Sequence, residues 1–232
     1  SGWRYAFLLG SVVCLLMAVV LAVSSRGRTR RTIAPVDGPV VDAAALYRSM
    51  PDLAWLGWIG AGAGFVALSI IRATFPVRAM SVLHLAEGTL GSIFFALSMT
   101  QALLGLALMR SRFWMYRARP VAAFAVAGIA GVLCFVFGET PLVLLSGAVL
   151  FGLYTGAFCF YMVFHALVHP NRAGRYVAVN ESIVGITGFL APLAGGVMSD
   201  VWGFKFPYFA AAGLTLAATA FQVWIHRDSK QK

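Results

Sequence analysis

Long apolar runs separated by short polar breaks set the pattern of this chain. Seven runs reach the ~20 residues an α-helix needs to cross a bilayer. They are 5–23, 53–75, 85–109, 120–138, 142–167, 176–199 and 207–225. The breaks are mostly basic. Arg26, Arg28, Arg30 and Arg31 open a polar stretch that Pro35, Gly38, Pro39 and Pro51 punctuate, the pattern of a linker or long loop. Pro76 is expected to end the second run, because proline removes a backbone donor. Glu139-Thr140-Pro141 reads as a very tight turn, and the segment 110–119 as a short basic loop. The pattern predicts an all-α polytopic membrane bundle of seven transmembrane helices.

The densest local signal lies between His165 and Asp200. Two runs meet there through a basic turn, 169–175. The second carries Glu181, then Gly185 and Gly188, then the break Ala191-Pro192-Leu193-Ala194-Gly195-Gly196. Pro192, Gly195 and Gly196 predict a helix break. A membrane tolerates such a break only where neighbouring helices or a cavity satisfy the freed carbonyls. Gly185 and Gly188 are expected to admit close neighbours, and Gly60-x-x-x-Gly64 marks a further packing face.

Composition agrees with a bilayer partner. Hydrophobic residues make up 60% of the chain and charged residues 11%, against roughly half and a quarter in soluble domains. The net charge of +10 needs no nucleic acid. Arg26, Arg28, Arg30, Arg31, Arg48, Arg110, Arg112, Arg117, Arg119, Arg172, Arg175, Arg227, Lys230 and Lys232 fall on one side of the seven-span layout. Arg4, Arg72, Arg78 and Lys205 fall on the other. Basic loops stay inside, which predicts a multi-pass protein of the cell (inner) membrane with Ser1 outside and Lys232 cytoplasmic. Cys14, Cys134 and Cys159 lie within apolar runs and read as small core hydrophobes. No metal spacing occurs, and no cofactor is expected. Ser1 opens the chain without a Met or a leader pattern, so the expectation is a sequence that starts within a longer protein.

Depth along each run selects the polar candidates. At ~1.5 Å per residue, Gln101 lies ~14 Å from Arg110, near the centre of a ~30 Å core. Thr155 and Thr187 are comparably deep. All three are candidate cavity residues, with interhelical packing, or a Thr bonded to its own helix, as the alternative. Arg72 and Glu87, near the ends of consecutive runs, are candidates for a gate pair. Glu181, ~9 Å past Arg175, is a gate or proton-coupling candidate with Arg110 or Arg112 as partner. The alternative is that Asn180 caps the helix and Glu181 sits in its first turn. His84 and His165 read as solvated residues at span ends. Phe158, Phe160, Tyr161 and Phe164 run around the helix and read as lipid-facing packing.

The motifs Gly2-Trp3-Arg4-Tyr5-Ala6-Phe7, Asn171-Arg172-Ala173-Gly174-Arg175, Glu181 and Gly188–Gly196 resemble those of the major facilitator superfamily. The layout, with three spans either side of the tight turn, is similar too. The family's loop pattern of Gly, a later Asp and Gly-Arg-Arg is matched only in its basic residues, since Gly105 is followed by Arg110-Ser111-Arg112. The resemblance implies that 1–25 is the last helix of a first transporter half, 26–51 the central cytoplasmic loop, and 52–232 a six-helix second half of 3+3 inverted repeats. It implies a missing N-terminal half, a small-molecule substrate and alternating access by a secondary active transporter.

Other functions fit less well. A retinal protein needs a Lys in the middle of its last span, and Lys205 precedes that span. Intramembrane hydrolysis would need a Ser–His pair, paired Asp or a His-Glu-x-x-His site, and the expectation is no enzyme. A non-transporting sensor or receptor on a transporter-like fold stays open as the alternative.

Overall fold

The computed structural model describes residues 52–168 and 172–228, with Val12, Leu15 and Val19 as isolated helical positions. The chain divides into two compact units, Ser1–Leu46 and Tyr47–Lys232. Apart from those three positions, the first apolar run and the 26–51 loop lie outside the described residues.

Among the described residues of the second unit are six helices and no strand: α1 Ala54–Ser81, α2 Glu87–Met109, α3 Ala118–Phe137, α4 Pro141–Leu167, α5 Ala173–Trp202 and α6 Phe206–Asp228. All six are long and apolar enough to cross a membrane, so the chain reads as an integral membrane protein. The 110–117 loop, Val168 at the end of α4 and Arg172 at the start of α5 share one end of the bundle. Arg110, Arg112, Arg117 and Arg172 make that the basic end.

Contacts between helices fix their directions. Trp58 meets Asn180, and Gly195 meets Ile70 and Thr74, so α1 and α5 run parallel. Gly152 meets Leu97 and Thr100, and Gly156 meets Gln101 and Leu104, so α2 and α4 also run parallel. Gly131 meets Gly147 and Phe151, which sets α3 antiparallel to α4. Gln222 meets Leu56 and Tyr208 meets Thr74, which sets α6 antiparallel to α1. Replacing each helix by the one three places along therefore converts one set of contacts into the other. Burial follows the same exchange. The buried share of the apolar stretch is 56% and 50% for α1 and α4, 33% for both α3 and α6, and 17% for both α2 and α5.

Three expected helix boundaries move. α1 continues through Pro76 to Ser81. A proline inside a helix forfeits one hydrogen bond, but the turn beyond it is held by fully buried Phe75 and Ala79 and by Arg78. α5 runs unbroken across Pro192, Gly195 and Gly196 to a C-cap at Gly203. There φ is +83°, a left-handed conformation that suits glycine. α5 also begins at Ala173 with Arg172 as its N-cap. Asn180 is therefore not a cap. It is buried inside the helix and accepts a 2.7 Å hydrogen bond from the Trp58 indole N–H.

At the basic end, Asp52 ties the start of α1 to the start of α5. It accepts from the Tyr176 hydroxyl and from Arg172, the latter at 3.1 Å. Tyr176 packs edge-on against Trp58 at 5.2 Å. Hydrogen bonding to Tyr176, with the Asp52 carboxylate alongside, raises the Arg172 guanidinium above its ordinary range. Arg172 is exposed, so the ion pair itself contributes little. The hydroxyl–carboxylate bond is the stronger part. Asp52→Asn is expected to lower stability by about 1 kcal/mol, read as a small fall in the detergent unfolding midpoint. Arg172→Gln is expected to change it less.

Candidate functional site

Two clusters hold the bundle interior. Phe75, Phe135, Phe151, Ile71, Ile93 and Leu97 fill the middle. Near the basic end, Trp114 enters between Phe160, Tyr161 and Phe164. Its indole N–H donates to Leu108 O at 3.0 Å and to Ser111 O at 2.9 Å, which satisfies carbonyls at the end of α2. The aromatic set on α4 is thus packed inward instead of facing lipid, with Phe158 and Tyr161 buried. His165 is likewise buried, against the rings of Tyr116, Tyr161 and Phe164. Its apolar neighbours lie on α4 itself and on the folded-back 110–117 loop, which sequence spacing does not bring together. His84 is exposed, with φ +50°.

Arg78 lies inside the protein, not in the loop expected for it. It is 3% exposed. Its guanidinium donates to Phe135 O and, at 3.0 Å, to Val136 O. These are last-turn carbonyls of α3, which have no partner within their own helix. The Tyr208 ring lies 5.9 Å from the guanidinium carbon, a cation–π distance. The contact places residue 78 level with the last turn of α3. At 20 residues, α3 is ~30 Å long, the thickness of a hydrocarbon core.

That level sets the depth of Arg72. It lies six residues, ~9 Å, back along α1 from Arg78. It is therefore about 11 Å inside the boundary marked by the end of α3, close to mid-membrane. Arg72 is exposed on this unit. Among the described residues it forms no hydrogen bond or ion pair, and no ion pair joins it to Glu87, which sits exposed in the first turn of α2. The Gln101 amide of α2, half-buried, stands 3.8 Å from the Cys159 sulfur of α4 and joins those two helices near the middle of the bundle.

The remaining candidates separate. Thr155 is fully buried and donates to Gly152 O of its own helix at 3.1 Å. Thr187 donates to Ile183 O at 2.7 Å. It also lines an open apolar groove of about 280 Å³ between α1, α5 and α6, with Val66, Ile70, Leu190 and Leu214. Glu181 follows Asn180, whose contact with Trp58 puts it near the basic end, and it is exposed. No ion pair joins it to Arg110 or Arg112 among the described residues. A separate cavity of about 30 Å³ lies under Trp114, lined by Gly57, Tyr154, Phe158, Tyr161 and Gln222. It has room for one or two waters. The Gln222 amide, on its wall, donates to Leu56 O at 2.7 Å.

Glycines divide the surface in two. A Cβ at Gly60 would strike Gln222, and one at Gly64 would strike the Phe158 ring. Those positions need glycine for close packing. A Cβ at Gly185, Gly188 or Gly196 on α5, or at Gly88, Gly91 or Gly105 on α2, would meet nothing within 4 Å among the described residues. The expected close neighbours of Gly185 and Gly188 are not among the described residues. The two least-buried helices thus carry open, small-residue faces. No family model, curated protein or solved structure matched this chain.

Proposed function

We propose that this chain is the second half of a secondary active transporter that moves a small solute by alternating access. In this reading, α1–α3 and α4–α6 are inverted repeats, and the run at 5–23 adds a seventh span. The basic end is cytoplasmic, and a first half covers the open faces of α2 and α5. The observation that carries the proposal is the exchange symmetry of packing. Consecutive spans alternate in direction, so a three-helix shift inverts the unit in the membrane. That shift exchanges the α1/α5 pair with the α4/α2 pair, and each helix has a buried share close to that of its counterpart three places along. Inverted repeats around a midplane site are the architecture of alternating access. Arg72 and Gln101 sit at that depth.

Reconstitution tests the proposal. The full-length protein in proteoliposomes should show saturable uptake of at least one solute from a metabolite panel, and this chain alone should show none. Absence of uptake by the full-length protein, or saturable uptake by this chain, would overturn it. Topology gives an independent prediction from the loop charges. A single cysteine at position 139 should react with an impermeant reagent on intact cells, and one at position 112 only after permeabilisation. Reaction at 112 from outside would reverse the orientation.

A further inference from the structure

We infer that Arg72 anchors an anion-binding site near the bilayer midplane, so the solute carries a carboxylate or phosphate group. The inference rests on the transporter reading and adds the substrate class. An arginine at this depth is expensive unless it faces a cavity or a partner. It could escape by reaching back to the nearer interface. The backbone works against that. Side chains on a helix lean toward its N-terminus, and the N-terminus of α1 is at the far, basic end. That lean favours a guanidinium directed toward the middle of the membrane.

The surroundings supply what an anion site needs. The Arg72 guanidinium brings five donors and makes no hydrogen bond among the described residues. Its fork matches carboxylate and phosphate oxygens. Gln101 adds an amide donor whose contact in this unit is a weak sulfur acceptor, the Cys159 thiol. Ser69, three residues before Arg72 on the same helical face, adds a hydroxyl. Arg78, nearer the helix end, cannot serve, because its donors are committed to Phe135 and Val136.

Binding to the purified full-length protein tests this. The probes are inorganic phosphate, succinate and benzoate at fixed ionic strength, with glycerol, glucose and choline as uncharged or cationic comparators. Thermal stabilisation is measured for wild type, Arg72→Gln, Arg72→Lys and Arg119→Gln, which changes an exposed arginine in the first turn of α3. At least one anion should stabilise wild type and Arg119→Gln. Arg72→Gln should bind that anion about tenfold to hundredfold more weakly, and Arg72→Lys should fall between. Arg72 has no hydrogen bond or ion pair to lose among the described residues, so the variants should unfold as wild type does without ligand. Equal anion binding by Arg72→Gln, or no response of wild type to any anion, would overturn the site. Saturable uptake of a neutral or cationic solute that Arg72→Gln leaves intact would also overturn it, while the transporter reading stood. Anion binding lost in Arg72→Gln, in a protein with no uptake, would keep the site and sink the transporter.

Discussion

Arg78→Met is expected to destabilise the six-helix unit by about 2–6 kcal/mol, because two buried carbonyls lose their donors at ~1–3 kcal/mol each. Phe135 O and Val136 O end α3, where the helix cannot satisfy them itself. In a bilayer no bulk water replaces the guanidinium. The methionine stem fills most of the same space, so the loss reports hydrogen bonding more than a cavity. Arg78→Lys keeps the charge beside the negative end of α3 but has no fork to reach both oxygens. It should recover only part of the loss. The measurement is the midpoint of denaturant-induced unfolding in detergent. A wild-type midpoint for Arg78→Met would mean that the carbonyls find other donors.

Gly152→Leu is expected to have the second large effect. A Cβ at Gly152 would lie 2.6 Å from the Leu97 carbonyl oxygen, and one at Gly156 2.8 Å from that of Gln101. Both obstacles are backbone of α2 and cannot rotate away. Gly152→Ala already overpacks the crossing, at about 1–3 kcal/mol, and leucine should exceed that. Gly131 faces the same constraint against the Phe151 backbone nitrogen at 2.6 Å. Gly185→Ala is the counterpart. With nothing within 4 Å, it should leave stability unchanged or raise it by a few tenths of a kcal/mol through helix propensity. Gly185→Leu in the full-length protein should impair uptake without unfolding this unit, if another half covers that face. Size-exclusion recovery separates the two classes. Equal recovery of Gly152→Leu and Gly185→Leu would contradict the packing described.

Six of the seven expected spans coincide with helices among the described residues, because length and apolarity alone decide what can cross a bilayer. The internal ends are less legible in the sequence. Pro76 and Pro192 are strong local signals for stopping a helix, yet both lie within one, where tertiary packing outweighs a lost hydrogen bond. Asn180 reads as a cap because nothing local shows that Trp58, on another helix, is its partner. Arg78 groups with the loop charges for the same reason, since its partners are carbonyls on α3. Gln101 stands out by depth alone. Arg72 stands out too, but its depth is underestimated when α1 is taken to end at Pro76. A buried arginine two turns from an exposed one is the signal that separates them, and only contacts reveal it.

Water access to the middle of α1 tests the central claim most directly. Ser69, half-buried and three residues from Arg72, is the position to use. A single cysteine at Ser69, in a full-length protein otherwise free of cysteine, is treated with an impermeant charged thiol reagent. Labelling is compared in right-side-out and inverted vesicles. Alternating access around a midplane site requires labelling from both faces, with the presence of transported solute shifting the ratio. Labelling from neither face, or from one face only under every condition, would contradict it.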